Sequence, residues 1–172
     1  AIKQSERLWW FDIVHNVFYR VGMFEAFDEF FEEVFARFEQ SESWRLFPET
    51  VDVLKTLKGQ GFELGIISNF DSRLFSVLRG LGIADLFDTV TISSLAHAAK
   101  PSARIFHQAL EKHAVDPDEA LHVGDSERDD VKGAQGVGLT GVLLARGEGA
   151  RPSGGTTIGN LNELLPLLSR LQ

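Results

Sequence analysis

From residue 4 to residue 46 the apolar positions fall at helical spacing. Trp10, Val14, Val17 and Val21 recur at intervals of four, three and four, with Ile13 and Phe18 beside them, which is the 3.6-residue period. Phe24, Phe27, Phe31, Val34, Phe35 and Phe38 form a second stripe, with Glu25, Asp28, Glu29, Glu32 and Glu33 mostly opposite. Gly22 separates the two, so the pattern predicts an antiparallel helical hairpin with an aromatic interface and a solvated acidic face. From Phe47 the texture changes to helix alternating with strand. VDVLKTLKGQG, RLFSVLRGLG, SARIFHQALEKH, DDVKGAQGVG and LNELLPLLSRL read as helices. FELGIISN, DTVTIS, ALHVGD, TGVLLA and a weak fifth run, TTIGNL, read as strands, with GEGARPSGG as a flexible loop. Strands that alternate with helices predict an α/β fold, a parallel Rossmann-like sheet covered on both faces.

Composition narrows the possible partners. The chain has 172 residues, a formal net charge of -8 and no Lys or Arg cluster longer than a pair. This argues against non-specific binding of nucleic acid or of an anionic membrane, both of which need a basic footprint. With no cysteine, disulfides and thiolate metal sites are excluded, and a reducing, cytoplasmic setting is expected. No apolar run is long enough for a membrane span, and no signal peptide is visible.

Three apolar strands end in small or charged residues, at the carboxyl ends where such sheets bind ligands. Ser68 and Asn69 end the first, just before a helix. A hydroxyl, an amide and free backbone N–H groups there can cradle a phosphate, though they can equally form a turn. Asp71 or Ser72 is the expected cap of that helix. Lys100 precedes Pro101 at the start of another helix, where an ammonium could neutralise phosphate or a nearby carboxylate, or simply decorate the surface. Asp125 ends the third strand after Gly124, and Asp129 and Asp130 follow. Hard oxygens at a strand tip suit Mg2+. The plain alternative is a helix cap at Asp125 or Ser126, with acids complementing the helix dipole. His122, inside the strand, reads as a satisfied core residue rather than a ligand.

Taken in order, a strand ending Ser-Asn, then Lys-Pro-x-x-x-x-Phe, then His-Val-Gly-Asp-x-x-x-x-Asp-x-x-Gly-Ala resembles the haloacid dehalogenase-like hydrolase superfamily. The best match is its subfamily with a helical cap inserted after the first strand. That resemblance implies a helical cap at residues 1–46, here partial, and an α/β core at 47–172. It implies a Mg2+-dependent phosphatase working through an aspartyl-phosphate intermediate on a small phosphorylated substrate. By resemblance Ser68, with Asn69, binds the transferring phosphoryl group and Lys100 stabilises its charge. Asp125 would ligate Mg2+, and Asp130 would support the metal waters or Lys100. Asp129 receives no role. SSLAHAAKP departs from the pattern, carrying Leu95 and His97 where relatives often have an acid and a glycine.

The larger departure is the family's opening motif, a strand ending in a nucleophilic Asp. The one candidate here is Asp12 in WWFDIVHNVF, but the surrounding periodicity is helical in both directions, so Asp12 is expected on a helix surface. The chain begins at Ala1 and its single Met is Met23. The expectation is therefore that a central strand, lying between FELGIISN and ALHVGD, belongs upstream together with the nucleophile, and that the chain alone is inactive. Two other readings stand beside the phosphatase: a non-catalytic phosphate-binding or interaction domain, and a metal-independent dehalogenase. An exposed central gap or aromatic cap would favour pairing of chains into a homo-oligomer.

Overall fold

The computed structural model describes residues 2–147 and 155–170. Most of the loop expected over 147–155, and the last residue of the expected closing helix, Leu171, lie outside the described residues. The chain divides into two compact units, Ala1–Arg45 with Phe70–Ala84, and Leu46–Asn69 with Asp85–Gln172.

The first unit contains the predicted helical pair, α1 (Ile2–Val21) and α2 (Phe27–Arg37), joined through Gly22 at φ 128°. Their interface is an edge-to-face aromatic stack, with Phe11 5.0 Å from Phe31 and Phe18 5.3 Å from Phe30 between ring centroids. The packed face of α1 differs from the predicted stripe. Val17 and Val21 are 55% and 75% exposed, whereas Phe11 and His15 stack on Phe27. An aromatic ring removes more apolar surface than a valine does, so Trp10, Phe11, Val14, His15 and Phe18 set the helix rotation. Asp12 is exposed on α1.

The same unit contains α4 (Arg73–Gly80), whose start is tied by charge. Asp71 accepts the Arg73 backbone N–H at 3.0 Å, which fills the predicted capping role, and also takes the Arg73 guanidinium at 2.6 Å. Both residues are buried. The guanidinium donates to the Phe35 carbonyl at 2.7 Å and lies 3.7 Å from the centre of the Phe35 ring. Trp10 Nε1 donates at 2.6 Å to Asp71 Oδ2, the oxygen that also takes the guanidinium.

The second unit has the parallel α/β architecture, a Rossmann-like arrangement of helices and strands. Its strands are β1 (Gly65–Ser68), β2 (Thr89–Ile92), β3 (Leu121–Gly124), β4 (Thr140–Leu144) and β5 (Thr156–Ile158). The weak fifth run is therefore a short strand. Its helices are α3 (Thr50–Gly59), α5 (Ser93–Ala96), α6 (Ala103–His113), α7 (Gly133–Gln135) and α8 (Leu164–Leu168). A π-helical turn, Glu127–Lys132, precedes α7. The predicted strand DTVTIS loses Ser93 to α5, a short helix the periodicity does not reveal.

All strand pairs are parallel, but the sheet is divided: β1 pairs with β2, and β3 with β4 and then β5. Among the described residues β1 and β3 do not pair. The family resemblance carries the expectation of a further central strand at this position. Two apolar clusters flank the strands. Ile105, Phe106 and Leu110 of α6 pack with Ala134 and Leu139, and Val142, Ile158 and Leu164 pack with Leu121 and Val123.

Candidate functional site

The carboxyl ends of β1 and β3 meet at one side chain. Lys100 Nζ donates to the Ile67 carbonyl of β1 at 2.9 Å and to Asp130 Oδ1 at 2.6 Å. Asp130 lies in the π-helical turn that follows β3. The ammonium thus spans the division in the sheet, and its side chain is only 13% exposed against 5% for Asp130. An ammonium has three donors, so one remains for a ligand oxygen.

Asn69 holds Lys100 in place. Its Oδ1 accepts the Lys100 backbone N–H at 2.6 Å, and its Nδ2 donates to the Lys100 carbonyl at 3.0 Å. This two-point clamp fixes the lysine backbone immediately before Pro101, where the peptide bond is cis. The amide oxygen and one amide hydrogen are spent on that clamp, which leaves Asn69 one N–H at most for a substrate. Ser68 sits half-buried at the end of β1, in register with Ile92.

Asp130 is saturated with donors. Besides Lys100, His122 Nε2 lies 3.0 Å from Oδ1, and the Ser126 backbone N–H donates to Oδ2 at 2.9 Å. Burial pushes the carboxyl up, but the hydrogen bonds from His122, Lys100 and Ser126 outweigh it and hold the group well below the usual carboxylate range. Gly124 makes the space: a Cβ there would lie 2.1 Å from Asp130 Cγ. Ser126 caps the turn through Asp129 N–H to Ser126 Oγ at 3.0 Å.

Asp125 is exposed at the carboxyl end of β3. Its carboxylate is the hard-oxygen donor of the set whose position leaves it open to a cation, because both Asp130 oxygens already accept from protein groups. One carboxylate with waters and substrate oxygens fits the way Mg2+ is held, whereas the described residues contain no group of three or more His, Asp or Glu able to enclose a metal. The Asp129 carboxylate lies 3.9 Å from Arg128 Nε. His97 is exposed and left-handed at φ 52°, a conformation that favours glycine.

Sequence reasoning brought Ser68, Asn69, Lys100, Asp125 and Asp130 to the candidate site. It missed the part played by His122, which is satisfied as expected but by Asp130 itself. The available signal was an imidazole alternating with Leu121 and Val123 in an apolar strand, on the same side as the glycine before Asp125.

A haloacid dehalogenase-like hydrolase profile matches residues 8–138. The chain is 33% identical over 172 residues to haloacid dehalogenase-like hydrolase domain-containing protein 3 of Bos taurus, covering 95% of this chain and 68% of that protein. It is 36% identical over 101 residues to a glyceraldehyde 3-phosphate phosphatase of Methanothermobacter thermautotrophicus, covering 58% and 45%. The crystal structure of a HAD phosphatase from Thermococcus onnurineus aligns with a TM-score of 0.73 at 34% identity, covering 80% of this chain and 64% of that one. Counterparts of the first relative in mouse and human are 58% and 57% covered, so the chain spans roughly three-fifths of these proteins. The profile match extends over more than half of the sequence and includes the Ser-Asn, Lys-Pro and Gly-Asp segments. The chain belongs to the haloacid dehalogenase-like hydrolase family.

Proposed function

We propose that the complete protein is a Mg2+-dependent phosphatase that acts on a small phosphorylated metabolite through an aspartyl-phosphate intermediate. The observation that carries this reading is the Lys100 ammonium, held at 2.6 Å by Asp130 at the carboxyl ends of two strands, with a donor to spare. Phosphoryl transfer is catalysed mainly by positioning and by neutralising charge on the equatorial oxygens, and a clamped ammonium beside a strand-end hydroxyl does both. In this reading Ser68 donates to the phosphoryl group, Lys100 offsets its charge, Asn69 fixes the Lys100 backbone and Asp130 holds the ammonium. Asp125 would hold Mg2+, which when bound supplies further charge neutralisation at the phosphate. The nucleophile would come from a strand seated between the unpaired edges of β1 and β3. The helical first unit serves as the cap that shapes substrate choice.

The test is a screen of phosphorylated metabolites against the full-length protein, with and without Mg2+. Metal-dependent release of phosphate that Asp125→Ala abolishes is expected. Metal-independent turnover, or full activity in Asp125→Ala, refutes the assignment. Halide release from a 2-haloacid without metal would move the protein to the dehalogenase reading.

A further inference from the structure

We propose that His122 is a positioning residue of this site: its Nε2–H donates to Asp130 Oδ1 and so aims the carboxylate that holds Lys100. The inference rests on the phosphatase reading above for its kinetic consequence, but its geometry stands on the fold alone.

Strand alternation places His122. Leu121 and Val123 pack against Val142, Ile158 and Leu164, so His122 and Gly124 share the opposite face, where a Cβ on Gly124 would strike the Asp130 carboxyl group. The imidazole is fixed from the side by the fully buried Phe106, whose ring meets it edge-on at 5.3 Å and 88°. Nε2 then lies 3.0 Å from Oδ1, the oxygen that also accepts from Lys100.

An ionised carboxylate only accepts hydrogen bonds. Nε2 must therefore carry the proton, and the neutral Nε2–H tautomer is sufficient. Lys100 on Oδ1 and the Ser126 N–H on Oδ2 give each oxygen one donor, and His122 adds to Oδ1 a second donor whose place is fixed by a strand and the Phe106 ring rather than by a flexible lysine stem. That stops rotation about the Asp130 terminal torsion, which is otherwise broad. An apolar residue at this strand position would leave Oδ1 to Lys100, whose other partner is the Ile67 carbonyl, so the flexible ammonium would set the carboxylate instead of being set by it.

The consequence is a loss confined to the transition state, where a misplaced charge matters most. In the full-length enzyme, His122→Leu should lower kcat about tenfold with KM within about twofold, while His122→Gln, which restores a donor near Nε2, recovers most of the rate. Because His122 acts through Asp130, the double variant His122→Leu/Asp130→Asn should be no slower than Asp130→Asn. A purely structural histidine would instead give effects that multiply, or unchanged kcat in a folded His122→Leu protein, and either result overturns the proposal. If His122→Leu does not fold, the Gln variant and imidazole 15N NMR decide. NMR also reads the pair when no phosphate ester is turned over, a result that would refute the phosphatase reading alone. The expected spectrum shows His122 as the Nε2–H tautomer, with a resonance that moves in Asp130→Asn. An Nδ1–H tautomer overturns the assignment.

Discussion

Asp130→Asn removes one charge from the most densely bonded carboxylate of the candidate site while keeping its shape. In the native chain Oδ1 accepts from Lys100 and His122, and Oδ2 from the Ser126 N–H. Every group facing Asp130 is thus a donor, so whichever way the asparagine amide turns, its NH2 meets another donor. The lysine keeps the Ile67 carbonyl but loses its counter-charge at a side chain only 13% exposed. Breaking one partner of a buried ion pair costs about 3–5 kcal/mol, a large share of the roughly 5–15 kcal/mol typical of a whole domain. Urea unfolding followed by far-UV circular dichroism at pH 7 should show the midpoint falling by more than about 1 M, given slopes of about 1–3 kcal/mol/M. The pH dependence has a definite sign. The folded Asp130 carboxyl is held below its ordinary value of 3.8, so its stabilisation is present in full above that value. It is lost as the pH falls from about 4 toward the folded value. The gap between native and variant proteins should therefore stay constant from pH 7 to about 5 and close below about 4. A loss under about 1 kcal/mol at pH 7, or a gap that ignores acid, would refute the account of Asp130 as a charged anchor.

Three further outcomes follow from the geometry. Gly124→Ala should destabilise by about 1–3 kcal/mol or more, because the new Cβ would lie 2.1 Å from Asp130 Cγ and 2.3 Å from Oδ2; an unchanged melting temperature would contradict that contact. Asp71→Ala should cost about 3–5 kcal/mol, leaving buried Arg73 with only the Phe35 carbonyl and aromatic faces, whereas the double variant Asp71→Ala/Arg73→Leu should recover part of the loss in the same unfolding assay. Asp12→Asn, at an exposed position of α1, should leave stability within about 0.5 kcal/mol and leave phosphatase turnover by the full-length protein unchanged; turnover abolished by it would restore Asp12 as nucleophile.

The parts of the fold written in short-range pattern were legible in the sequence. The apolar runs of β1, β3 and β4 gave strands within about three residues of those observed, since strand-length apolar runs bounded by glycine, asparagine and aspartate read as members of a parallel sheet. The amphipathic stripe of α6 gave its helix for the same kind of reason. What the pattern could not supply was rotation and closure. The face that α1 packs depends on which rings of α2 it meets, and Phe11 and His15 win because of Phe27 and Phe31. The π-helical turn at Glu127–Lys132 has no periodic signature, because it follows from a non-local demand: Asp130 must return its carboxylate to Ser126 N–H and Lys100. Ser68, Asn69 and Asp125 were visible as polar residues at strand ends, Lys100 as the residue before Pro101 at a helix start, and Asp130 as an acid following Asp125. Their division of labour was not, since whether Asn69 touches a ligand or clamps Lys100 is decided by a contact across 31 positions of sequence.

Lys100 connects the site's chemistry to the continuity of the sheet. Backbone pairing stops between β1 and β3, and unpaired strand edges are a structural liability. At that break one side chain donates to a β1 carbonyl and to a carboxylate anchored beside β3. The ammonium therefore bridges the division where hydrogen-bonded backbone does not, and in the proposed phosphatase it also receives the phosphate. A strand entering beside β1 would arrive with its carboxyl end next to a cation already fixed by Asn69 and Asp130. In the proposed phosphatase, the position that would complete the sheet is also the one from which an attacking carboxylate would reach a phosphoryl group held by Lys100. That proposal predicts that the pairing surface and the catalytic surface are perturbed together: substitutions that loosen Lys100 should weaken both the joining of the two sheets and the neutralisation of phosphate.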